Sequence, residues 1–169
     1  FQPQATKRQR SLDGRSDRAG RCCGYRTGCK ASGAGCAGAV HAGPHDEIFV
    51  LDNAGRVLVY DAHGAIARQW WMPEYSVGRP EGIFVLIDGR IAVADTHYHR
   101  VVIFDYEGNF LESFGSLGRE PGEFIYPVKL TQDPDGYIYV GEYGDNDRIQ
   151  KFTAEGKFVK QFGSFGTEP

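Results

Sequence analysis

Three acid–arginine pairs carry the side chains best suited to chemistry: Asp52 with Arg56, Asp95 with Arg100, and Glu142 with Arg148. A carboxylate held beside a polar partner invites an acid–base reading. Arginine is a poor general acid, because it stays protonated at any working pH. The pair also recurs along the chain, and a recurring pair is expected to support a recurring structure. All three are therefore expected to be ion pairs that lock the fold. Thr96-His97-Tyr98-His99 is the densest polar and aromatic stretch. Its two histidines, two positions apart, could share a metal only if the loop folds back. His99 stands directly before Arg100 and is expected to be structural, which leaves His97 and Tyr98 as candidates for a ligand-facing loop. Cys22, Cys23, Cys29 and Cys36 precede His41 and His45. No two of these cysteines have the two-residue gap of a zinc knuckle, and no metal site is expected from them.

The elements that position these residues follow from an internal repeat. Arg100 to Arg148, Phe104 to Phe152 and Gly115 to Gly163 are each 48 positions apart. An earlier copy lies 44 positions back, from Arg56 to Arg100, Gly64 to Gly108 and Trp70 to Phe114. Spacing that drifts only at loops is typical of repeated units joined by variable turns. In the middle copy four short strands are expected, over 82–86, 90–95, 100–104 and 109–114. The second of these is almost wholly apolar, as a strand covered on both faces should be. Asp88-Gly89 and Glu107-Gly108 supply the positive φ that tight hairpins need, and Asp135-Gly136 and Glu155-Gly156 repeat them in the third copy. Helical periodicity is absent. A unit of roughly 45 residues with four antiparallel strands is a β-propeller blade. Phe104 and Phe152 are expected in its core, and Trp70, Phe114 and Phe162 between blades.

The run from Ile91 to Asp105 resembles the core of an NHL repeat, as does Tyr137 to Glu142 followed by Arg148 to Phe152. The resemblance covers about residues 44–169 and implies an all-β fold, part of a closed and most often six-bladed propeller. It divides the chain into blades at 44–78, 79–125 and 126–169. The first is degenerate, with a shortened loop at Asp52 to Arg56 and no clear inner strand before Asp46. One branch of the family is a peptidyl-hydroxyglycine lyase that holds zinc through histidines, one of which follows the proline opening a blade. Here those positions read Pro80-Glu81-Gly82 and Pro127-Val128-Lys129, without a histidine. Other members grip single-stranded RNA on a basic face. Residues 44–169 carry 11 Lys/Arg against 20 Asp/Glu, a net −9, the wrong sign for that mode.

Residues 1–43 differ from the rest. They hold eight Lys/Arg against two Asp, a net +6, and their only Val, Ile, Leu or Phe are Phe1, Leu12 and Val40. Such a segment cannot bury enough apolar surface to order itself, so disorder is expected, as a frame-shifted stretch first and a native linker second. The frame-shift reading rests on a composition of Arg, Gly, Ala, Ser and Cys, as misread GC-rich DNA yields, and a basic tail for acidic partners is the last reading. No hydrophobic stretch is long enough for a signal peptide or membrane span. The motif from Gly115 to Pro121 returns from Gly163 to Pro169 and stops there, and the chain begins with Phe, so a piece of a longer protein is expected.

The functional expectation is a non-catalytic propeller that binds a protein or a small ligand at one end of its channel. By fold analogy the channel-mouth loops select Glu81, His97, Tyr98, Lys129, Tyr143 and Asp145. The alternative is part of a propeller enzyme, a metal-assisted lyase or hydrolase. No cofactor is expected unless that alternative holds, in which case Ca²⁺ or Zn²⁺ would be required. Nucleic acid is not an expected partner, and self-association is expected if three blades are the whole complement.

Overall fold

The computed structural model describes residues 37–144 and 146–164. These residues form three four-stranded antiparallel sheets, each a meander whose strands follow one another in chain order. Blade 1 is β1 (Ala37–Ala42), β2 (Ile48–Asp52), β3 (Arg56–Tyr60) and β4 (Ile66–Trp71). Blade 2 is β5 (Gly82–Val85), β6 (Ile91–Asp95), β7 (Arg100–Phe104) and β8 (Phe110–Phe114). Blade 3 is β9 (Tyr126–Gln132), β10 (Ile138–Tyr143), β11 (Arg148–Phe152) and β12 (Phe158–Phe162). A 3-10 turn, Thr96–Tyr98, bridges β6 and β7, and another, Pro44–Asp46, lies between β1 and β2. No helix among the described residues is long and apolar enough to cross a membrane.

The first blade has an inner strand that composition concealed. β1 lies within the segment expected to be unstructured, and it pairs with β2 from Ala42 opposite Ile48 to Ala37 opposite Asp52. Its sequence, Ala-Gly-Ala-Val-His-Ala, shows no apolar alternation because its place is held by ladder hydrogen bonds. Residues 1–36, with all four cysteines, lie outside the described residues.

The core sits between the sheets. Phe49, Leu51, Val57 and Val59 of blade 1 pack against Ile91, Val93, Val102 and Phe104 of blade 2. Ala92, Val101 and Ile103 of blade 2 pack in turn against Ile138, Val140 and Phe152 of blade 3. Blades 1 and 2 each send one aromatic knob from the end of the fourth strand into the next blade. Trp70 lies so close to Gly108 that a Cβ there would sit 2.3 Å from the indole, and Phe114 would stand 2.5 Å from a Cβ on Gly156. Both glycines have positive φ, +93° and +72°, so the turn needs them for its backbone as well as for the space.

Polar latches reinforce the two junctions with reversed sign. Between blades 1 and 2, Glu47 pairs with Arg68 at 3.0 Å, the Tyr106 hydroxyl donates to Glu47, and Arg68 lies 4.2 Å from the Tyr106 ring centre. The corresponding positions in blade 2 are Arg90 and Glu112, 3.3 Å apart, and Arg90 donates to the Ala154 carbonyl of blade 3 at 2.9 Å. The Thr96 hydroxyl adds a buried bond to the Pro127 carbonyl at 2.8 Å.

Candidate functional site

One end of the sheets gathers the loops from second to third strand and the connections that enter each blade. The three acid–arginine pairs stand at its corners. In blade 1 Asp52 Oδ1 accepts the N–H of Ala54 at 2.9 Å and of Arg56 at 3.0 Å, while Oδ2 takes Arg56 Nε and Nη2. In blade 2 Arg100 Nε donates to Asp95 Oδ2 at 2.9 Å, and Nη2 reaches the exposed Glu74 at 3.0 Å. In blade 3 Arg148 Nε donates to Glu142 Oε1 at 2.6 Å, and Glu142 Oε2 accepts the Ile125 N–H at 2.8 Å. Each acid is buried and each is engaged by its own blade. Burial pushes the Asp95 carboxyl above its ordinary value, with Arg100 opposing that shift.

Between the corners the loop residues form an aromatic rim. His97 donates from Nδ1 to the Arg79 carbonyl at 3.1 Å and its ring lies against Gly78. The Tyr98 hydroxyl accepts the Val77 N–H at 3.2 Å and lies 3.2 Å from Ser76 Oγ, with Arg100 5.0 Å from the ring centre. His99 adopts a left-handed backbone, φ +58°, and its Nδ1 donates to the Ile125 carbonyl just before β9. Tyr126 then packs beside both His97 and His99 and stacks on Tyr143 with ring centres 5.2 Å apart. Desolvation raises the Tyr143 hydroxyl above its usual range, and the charge of Glu81 raises it further. On the blade 1 side Trp71 and Tyr75 stack at 5.8 Å, with Arg56 5.6 Å from the indole. Trp71, Tyr75 and Tyr143 are all about half exposed.

The residues singled out from the sequence thus fall into three groups. Glu81, His97 and Tyr143 meet around Tyr126, and Tyr98 faces the preceding connection. Lys129 belongs to another surface, a cavity of about 490 Å³ between the inner strands that it lines with His41, Phe84 and Leu130. Asp145 lies outside the described residues. Tyr126 and His41 were missed as site residues, since a single tyrosine after a blade-opening loop and a histidine in an Ala/Gly stretch carry no spacing signal. His41 packs its ring 4.4 Å from Phe84, and burial holds its imidazole below the usual value.

No family model matches the chain. It is 36% identical over 75 residues to Protein brain tumor of Drosophila melanogaster, covering 44% of this chain and 7% of that protein. It is 41% identical over 44 residues to RING finger protein nhl-1 of Caenorhabditis elegans, covering 26% of this chain and 4% of the relative. Streptogramin B lyase shares the fold at a TM-score of 0.60 and 20% identity, over 73% of this chain and 39% of that one. The chain therefore spans a small part of its curated relatives and less than half of that propeller. Three meander sheets built on one repeat, with these likenesses, make the chain a set of β-propeller blades similar to those of NHL-repeat proteins.

Proposed function

We propose that this chain is a non-catalytic binding scaffold whose ligand, a protein segment, lies across the aromatic rim at the loop end of the blades. The observation that carries this reading is the pair of exposed stacks, Trp71 on Tyr75 and Tyr143 on Tyr126, on either side of blade 2. Stacked tyrosine and tryptophan offer large contact area at low cost in side-chain entropy. Glu81 beside Tyr143 and the net −9 of residues 44–169 favour a ligand with basic side chains. The corner carboxylates, each engaged by its own arginine, support a structural role for those residues. A small ligand would instead use the cavity beside His41 and Lys129.

The test is to pan a random peptide library on the folded chain and measure the selected peptides against variants. Trp71→Ala or Tyr143→Ala should weaken binding at least about tenfold, as for aromatic anchors at interfaces. Ile87→Asp, on the opposite hairpin end, should leave it unchanged. Peptides that bind all three variants alike would overturn the assignment. The metal-assisted lyase or hydrolase reading has the shared fold of streptogramin B lyase behind it. It predicts stoichiometric Ca²⁺ or Zn²⁺ in the purified protein.

A further inference from the structure

Three pairs of aromatic rings among the described residues are stacked within 25° of parallel: Trp71 with Tyr75, Tyr139 with Phe162, and Tyr126 with Tyr143. The first two carry cations of their own. Arg56 lies 5.6 Å from the Trp71 ring centre, Lys151 Nζ 5.1 Å from that of Tyr139 and Lys160 Nζ 4.7 Å from that of Phe162. No described cation lies over the third stack, although a carboxylate stands beside it. That carboxylate is Glu81. Its N–H donates to the Ala94 carbonyl at 3.1 Å directly after buried Pro80, which fixes the chain there. Its side chain is part-buried and makes no hydrogen bond or ion pair with a described residue. The three corner acids, by contrast, each hold an arginine. The charge of Glu81 still reaches Tyr143, where it adds to desolvation in raising the hydroxyl.

We propose that an arginine side chain of the bound segment completes this third stack, its guanidinium flat against Tyr143 and bonded to the Glu81 carboxylate. The assignment rests on the reading of the rim as a protein-binding surface, and it names the residue that the rim reads. The site is built wholly from blades 2 and 3. Its platform is braced from behind, since Tyr126 packs on His97 and His99 and His99 is tied to the Ile125 carbonyl. Tyr143 is 44% exposed, which leaves ring surface open to a ligand. A ring beside a carboxylate selects arginine over lysine. The guanidinium is planar and weakly hydrated, so it can lie on the ring while directing paired N–H groups at the carboxylate. An ammonium is a strongly hydrated point charge and gains less from either partner.

The probes are peptides selected from the random library, titrated against the full chain with each arginine replaced in turn by lysine and by citrulline, its uncharged isostere. One arginine should stand out. Citrulline there should weaken binding at least about tenfold, and lysine at least about threefold. Glu81→Gln should weaken the parent peptide about tenfold with an unchanged unfolding transition. On that variant the arginine and citrulline peptides should differ by less than about threefold, because the two changes remove the same interaction. Selected peptides that lack arginine would overturn the assignment, and so would citrulline losses that are equal on wild type and Glu81→Gln. In both cases the rim reading stands if Trp71→Ala and Tyr143→Ala still weaken binding. Binding indifferent to those two variants would overturn both.

Discussion

Arg100 and Arg148 occupy the same place in successive blades and do different work. Arg148 is almost wholly buried and donates to Glu142, to Gln161 and to the Arg119, Glu120 and Glu123 carbonyls. It pins the whole connection between blades 2 and 3. Arg100 holds Asp95 by one bond, leaves Asp95 Oδ1 buried without a partner, and spends its other end on exposed Glu74 and on the Tyr98 ring. A repeated pair thus conserves its geometry at the corner while its energetic weight follows burial. A buried cation that bonds five groups costs more to remove than a partly exposed one that bonds two.

The comparison is sharpest where cores should agree and corners should not. Phe104→Ala and Phe152→Ala should each cost about 3–5 kcal/mol by denaturant unfolding, since both rings are buried at equivalent sites. A cost below about 1 kcal/mol at either would show that the blades are not equivalent in their cores. Arg148→Met should cost about 3 kcal/mol or more, because it strands the buried Glu142 and releases three backbone carbonyls, whereas Arg100→Met strands the buried Asp95 alone and should cost less. Equal losses at the two arginines would break the distinction drawn between the corners.

Asp95→Asn should be tolerated within about 1 kcal/mol at neutral pH, since it removes a buried charge with an unmet oxygen. The sign of its pH effect is fixed by the raised carboxyl. The folded state holds the proton more tightly than the unfolded chain, so this contribution is present below the ordinary value of 3.8 and is lost as pH rises through the folded value. The fall should be absent in the asparagine variant. His41 should give the smallest effect, in the other direction. Its depressed imidazole leaves the unfolded chain to take up the proton first, so stability falls as pH drops through 6.5. His41→Gln should flatten that slope, and an unchanged slope would place the titrating group elsewhere.

The blades were legible because period-2 strands and Asp-Gly or Glu-Gly turns are local signals that repeat. β7 runs over Arg100–Phe104, where the pattern places it, and β6 and β8 differ from expectation by one residue at their starts. β1 was not legible, because Ala37–Ala42 is ordered by its partner strand rather than by its own side chains. The rim was legible only in part. His97, Tyr98 and Tyr143 lie in loops that fold analogy could select, but the stack of Tyr143 on Tyr126 joins residues 17 positions apart across two elements.

The central claim is that corners stabilise and the rim recognises. One peptide selected on the wild-type chain should be titrated, with unfolding measured alongside, against Trp71→Ala, Tyr143→Ala, Arg148→Met and Arg100→Met. The account predicts lost binding with intact stability for the two rim variants, and lost stability with intact affinity in the folded fraction for Arg148→Met. Rim variants that bind normally, or a corner variant that folds normally and fails to bind, would contradict it.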